Sequence, residues 1–345
     1  MRSHSIKSCP TLALALALAA SFHAAAPLAT ASGNEGDFRW VLQDLSRFPD
    51  PEVLSMISDD QGNKWFAGKK GLTRLSQLGD WQIFTAENTS KGLPSNAITA
   101  LAIGENRDLW VATEGGIGWY SNGSWKSFTK ENTSGGLPDN FVTSLAIGHD
   151  ERWFGTKSGF AMLRASAWTT YGVDRISGRL PNKIVTAIAV DSSGDKWIGT
   201  IAGLARFSGS NWTQFTRDNT NGGLPHNSIT WLTVAPNGVR WVGTQMGVGK
   251  LAGSAWTSYR GLMDLGEIAA EQVYSLTVEK TGKLWVAAKG GAAAFNGSSW
   301  TLYNKNNTSG IQTKFVYSVM AGKDGDVWFG TQKGVVEMMP VMKDD

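Results

Sequence analysis

Residues 140–163 read NFVTSLAIGHDERWFGTKSGFAML, and residues 227–251 read NSITWLTVAPNGVRWVGTQMGVGKL. Both stretches hold an Asn, an apolar run, a polar turn, a Trp followed by an apolar residue and Gly-Thr, and then a Gly opening a second apolar run. The Trp of this unit recurs at Trp65, Trp110, Trp153, Trp197, Trp241, Trp285 and Trp328, with successive spacings of 45, 43, 44, 44, 44 and 43 residues. A second series keeps step with it: Trp81, Trp125, Trp168, Trp212, Trp256 and Trp300. Two phased series of this constancy mark a chain built from equivalent supersecondary units.

Each unit reads as four short strands. In the second, these fall at 98–103, 109–112, 117–120 and 125–128, separated by polar turns, by Gly115-Gly116 and by Asn122-Gly123. Apolar residues on both faces suit a small sheet packed between two others. Four-stranded sheets repeating every ~40–45 residues predict a β-propeller. The Trp328 unit supplies only three strands, and the pattern of a fourth stands at the other end of the chain, at 37–42 around Trp40. The expectation is therefore an all-β, seven-bladed propeller over 38–339, closed by its N-terminal strand, with a short tail at 340–345. Acidic turns such as 59–63 and 191–195 read as hairpin turns needing Gly, not calcium loops, because they are short and lack a terminal Glu.

The unit N-x-V-x-x-(L/I)-x-x-D-x-x-G-x-x-W-x-G-T-x-x-G-(L/V)-x-x-(F/L) resembles the two-component regulator propeller repeat, over nearly all of 38–339. That resemblance implies an extracytoplasmic, sensor-type module. A weaker likeness to streptogramin lyase, another Trp-rich propeller, implies a second possible class.

The N-terminus fits export. Arg2 and Lys7 precede an apolar run at 12–20 that is too short to span a bilayer, and Ala29-Thr30-Ala31 fits a cleavage site. A signal peptide at 1–31 and a short tail at 32–37 are expected, and with them a periplasmic or secreted protein. The only cysteine, Cys9, falls in the leader, so packing must hold the fold without disulfides. Removing Arg2 and Lys7 leaves 30 basic against 29 acidic residues. A balance so close to neutral offers no electrostatic case for nucleic acid, and no later segment predicts membrane insertion.

The fourteen repeated tryptophans, Trp40 included, carry the period of the core and are read as structural. Function is expected where the repeats differ, on the axial face that carries the loops entering the innermost strands. Residues closing those loops are Pro51, Asn96, Asn140, Lys183, Asn227, Glu271 and Lys314; the turns sharing that face add Lys69, Glu114, Lys157, Ile201, Gln245, Lys289 and Gln332. The binding candidates are Asn96, Glu114, Asn140, Lys157, Lys183, Asn227, Gln245, Glu271, Lys289 and Lys314. Their mixture of amides and both charges suits a polar small molecule, a glycan or an extracytoplasmic protein. Asn-Thr pairs at Asn88, Asn132, Asn219 and Asn307, and Leu-Pro pairs in four loops, read as devices of loop rigidity.

Two tryptophans break the pattern. Trp231 takes a first-strand position held elsewhere by Ala or Ser, and Trp119 a third-strand position held elsewhere by Arg, Met, Lys, Ala or Glu. Trp119 reads as local packing or as a stacking platform for a sugar. Catalysis finds little support. Beyond the leader the histidines are His149 and His226, and no metal-ligand cluster, cofactor motif or Ser-His-Asp order emerges. The expectation is a binding propeller without metal or cofactor. The alternatives are a lyase acting through His226 with Glu271 or Glu114, and a scaffold subunit of an envelope complex.

Overall fold

The computed structural model describes residues 38–260 and 272–341. The expected leader (1–31), the tail at 32–37, Glu271 and residues 342–345 lie outside the described residues. Seven four-stranded antiparallel sheets are arranged as blades about an axis. Blades 1 to 6 span 55–84, 98–128, 142–172, 185–215, 229–259 and 273–303; blade 7 joins 316–340 to Phe38–Leu42. The strands in each of blades 1 to 6 follow chain order from the axis outward.

Closure is as the strand count predicts. Phe38–Leu42 runs antiparallel to Gly334–Pro340, with Trp40 opposite Met338 and Leu42 opposite Val336. The last strand reaches Pro340, one residue beyond the expected boundary. Trp40 stands in its blade where Trp125 stands opposite Tyr120 in blade 2. The loop at 172–183 holds one helical turn, Val173–Ile176, which buries Ile176.

The first-series tryptophans are all buried, and they form the seams between blades. Trp65 meets Tyr120 of the next blade at 5.6 Å, Trp110 meets Phe154 at 5.7 Å, and Trp153 meets Phe207 at 6.4 Å between ring centroids. Trp241–Phe295, Trp285–Phe329 and Trp328–Phe66 repeat the contact, the last one across the closure. The buried indole N–H needs an acceptor. In five blades it donates to a carboxylate: Asp108, Glu151, Asp191, Glu279 or Asp326, at 2.5 to 3.0 Å.

The second-series tryptophans lie farther out and are half-buried, apart from the buried Trp300. Four blades seat theirs on a loop glycine of the preceding connection. A Cβ at Gly92, Gly136, Gly223 or Gly310 would fall 2.2, 2.6, 2.3 or 2.0 Å from Trp125, Trp168, Trp256 or Trp40, respectively. The Asn-Thr pairs hold these loops in shape. Asn132 accepts from Thr129 N–H and donates to the Ser127 carbonyl, and the Thr133 hydroxyl donates to the Thr129 carbonyl while accepting from Leu137 N–H. Asn88 and Asn219 do the same in their own loops.

The acidic turns are hairpins held by their own backbone. Asp59 accepts from Gln61 and Asn63 N–H, and Gly62 supplies φ +89°. Among the described residues no three His, Cys, Asp or Glu side chains gather as metal ligands, and no helix is long and apolar enough to cross a membrane.

Candidate binding site in the axial channel

In blades 2 to 7 the register of the innermost strand shifts by one residue near its start, and such a bulge re-aims the extra side chain. Val53, Ile98, Val142, Val185, Ile229, Val273 and Val316 point into the blade seams and are buried. The residues that follow them look onto the axis: Leu54, Thr99, Thr143, Thr186, Thr230, Tyr274 and Tyr317. They ring a channel of about 450 Å³. Four threonines thus occupy consecutive blades, two tyrosines the next two, and a leucine the last.

The ring is not uniform. The Thr99 hydroxyl donates to the Val142 carbonyl and that of Thr143 to the Val185 carbonyl, each at 2.6 Å, tying neighbouring blades together. The buried hydroxyls of Thr186 and Thr230 have no hydrogen-bond partner. That break flanks the blade in which Trp231 stands next to Thr230. Trp231 lies at a bulge opposite Gly243, where Ser144 stands opposite Gly155 and Ser318 opposite Gly330 in blades 3 and 7. A glycine across the ladder leaves room for the indole.

On the far wall Tyr274 and Tyr317 meet edge to face at 5.3 Å, and Tyr317 stacks on Phe315 at 6.0 Å. Burial, with the nearby Glu52 charge and Tyr274, pushes the Tyr317 phenol above its ordinary range, so it stays neutral at physiological pH. Gln245, Gln272, Ser228 and Ile201 complete the channel towards its mouth, and among the described residues no charged side chain lines it. Such a wall offers neutral hydrogen-bonding groups and aromatic faces.

The ten candidates chosen from sequence fare unevenly. Gln245 lines the channel. Asn96, Asn140 and Asn227 are loop staples: each carboxamide oxygen accepts from a backbone N–H ten residues earlier, at Ala86, Lys130 and Arg217, in bonds of 2.7 Å. Asn96 and Asn140 also donate to Glu87 and Glu131. Lys157 places its ammonium over the Phe141 ring at 3.4 Å. Glu114, Lys183 and Lys314 are exposed on the rim, and Lys289 is half-buried beside Phe315, bridged to it through the backbone. Glu271 lies outside the described residues.

His226 takes a loop position where Asp139 caps Phe141 N–H; its Nδ1 accepts from Ser228 N–H at 3.0 Å. That bond occupies the nitrogen a general base would use and leaves Nε2 as the protonated one. His149 is exposed on the opposite face, beside Glu105.

No family model matches the chain, and neither does any curated protein. Solved structures do. The extracellular domain of the hybrid two component system BT3049 from B. thetaiotaomicron is 19% identical with a TM-score of 0.73, over 87% of this chain and 41% of that one. The chain thus spans about two fifths of that structure's length. Streptogramin B lyase is 18% identical with a TM-score of 0.68, over 89% of this chain and 99% of the lyase. Virginiamycin B lyase from Staphylococcus aureus is 15% identical with a TM-score of 0.67, over 88% of this chain and 100% of the lyase. These neighbours include both kinds of propeller that the repeat resembles. At such identities the likeness is one of fold.

Proposed function

We propose that the chain is an exported, sensor-type binding propeller that holds a neutral polar ligand, such as the end of a glycan, in its axial channel. The observation that carries this reading is the differentiated wall, uncharged among the described residues, with threonines on four blades, tyrosines on two, and Trp231 set among them. Sugars offer hydroxyls to such groups and C–H faces to such rings. The leader-like N-terminus and the fold shared with an extracellular domain support an extracytoplasmic setting. The occupied Nδ1 of His226 speaks for binding over lyase chemistry.

The test is a thermal-shift screen of the full chain with neutral oligosaccharides. At least one should raise Tm, and Trp231→Ala should abolish the rise. A screen in which no neutral sugar stabilises the chain, or in which Trp231→Ala leaves the shift intact, overturns the reading. Turnover of a cyclic peptide that is lost in His226→Ala would establish the lyase alternative instead.

A further inference from the structure

A second cavity, of about 690 Å³, lies far from the channel, between the outer strands of blades 2 and 3. Its origin is local and can be read from the register. Each first-series Trp has a cross-strand partner on the third strand. In blades 1, 4 and 5 that partner is a cation lying over the ring: Arg74 over Trp65, Arg206 over Trp197 and Lys250 over Trp241. In blade 2 it is Trp119.

Two consequences follow. Arg206 pairs with Asp195 in blade 4, whereas the corresponding Asp108 has no arginine. Asp108 is buried, and its Oδ2 accepts from both Trp110 and Trp119 indoles, at 2.9 and 2.6 Å, while its Oδ1 has no partner. The other consequence concerns charge. Lys126, opposite Trp119 on the fourth strand, and Arg152 of blade 3 both line the groove, lying over Phe128 at 4.9 Å and Trp110 at 5.9 Å. Among the described residues neither has a carboxylate within ion-pair distance.

We propose that this groove is a second binding site, and that it takes an acidic saccharide. Half-buried Trp119 offers a flat face to a sugar ring. Lys126 and Arg152 receive a carboxylate, while buried Asp108 holds the Trp119 platform in place by accepting from its indole N–H. An acidic peptide would satisfy the cations but would leave the aromatic platform without a matching group. The site is independent of the channel and of what the channel binds.

Titration calorimetry on the full chain tests this with trigalacturonate, its fully methyl-esterified form, and hexaglutamate as probes. Trigalacturonate should bind at least tenfold more tightly than either of the others. Lys126→Ala, a change at an exposed position, should weaken it at least tenfold. Trp119→Arg, which installs the residue found at this position in blades 1 and 4, should do the same, and Trp231→Ala should leave it unchanged. Absence of trigalacturonate binding, equal binding of the ester, equal binding of hexaglutamate, or full affinity in Lys126→Ala each overturns the proposal.

Discussion

Arg240 of blade 5 reaches back to Asp191 of blade 4, with Nη2 and Oδ2 2.6 Å apart and the side chains 17% and 1% exposed. The same guanidinium lies 5.1 Å over Trp197. At the six other seams a first-series Trp meets an aromatic ring of the next blade; at this one it meets Arg240. At the first-series Trp, blades 4 and 5 are therefore joined by a charge pair in place of a ring contact, while Phe215 and Trp256 meet farther out at 5.7 Å.

Removing one partner of a buried pair strands the other, so Arg240→Ala should lower stability by about 3 kcal/mol. The pair also sets a pH dependence. Burial alone would raise the Asp191 pKa, but hydrogen bonds from Arg240, Trp197 and Asp195, with the Arg240 charge, outweigh it and hold the carboxyl below its ordinary value. A depressed carboxyl contributes stability that is present above its unfolded pKa and is lost as pH falls through the folded one. Urea midpoints measured down the acid limb should fall for the parent and fall less steeply for Asp191→Asn. Parallel limbs would contradict the assignment.

Ring closure rests on the seating of Trp40 against Gly310. Trp40→Ala should cost about 3 kcal/mol, and Gly310→Ala about 1–3 kcal/mol through the clash of its Cβ with the indole. Once the indole is gone the clash goes too. The double variant should therefore be markedly more stable than the sum of the single losses predicts, a coupling measurable in denaturant. Strict additivity would mean that Gly310 acts through something other than Trp40.

The loop staples predict a separation of stability from binding. Asn140 links Lys130 N–H to Glu131 across the loop it closes. Asn140→Ala should cost about 1 kcal/mol in denaturant unfolding and leave the affinity of any channel ligand unchanged. Loss of affinity at unchanged stability would return Asn140 to the binding site.

The fold was legible because its core has a period. The Trp series that fill the seams recur every 43 to 45 residues, and counting them found seven blades and the closing strand. The site was only half legible. Gln245 lines the channel, whereas Asn96, Asn140 and Asn227 spend their carboxamide oxygens on the loops they close. Their regular recurrence was the warning, since a residue kept at a fixed offset in several units serves the unit, as the tryptophans do. The axis-facing Thr99, Thr143, Thr186, Thr230, Tyr274 and Tyr317 were missed for a different reason. Both faces of an innermost strand pack on neighbouring blades, and these residues reach the channel because each sits at a register shift, which the hydrophobic pattern does not reveal. Trp119 and Trp231 stand out in sequence because they break the period; Trp231 lies in the channel and Trp119 in the outer groove.

The threonine ring sets chemically identical substitutions against opposite expectations. Thr99 and Thr143 each donate a 2.6 Å bond to the next blade, so replacement by the near-isosteric valine should remove that bond and cost about 1 kcal/mol. Thr186 and Thr230 hold buried hydroxyls without partners. A buried hydroxyl without a partner carries a desolvation penalty of about 1–3 kcal/mol, so Thr186→Val and Thr230→Val should be neutral or stabilising. Four denaturation curves decide it, and the two pairs should shift in opposite directions or one pair not at all. If all four valine variants are destabilised alike, Thr186 and Thr230 are satisfied in solution and the break in the ring beside Trp231 does not exist there.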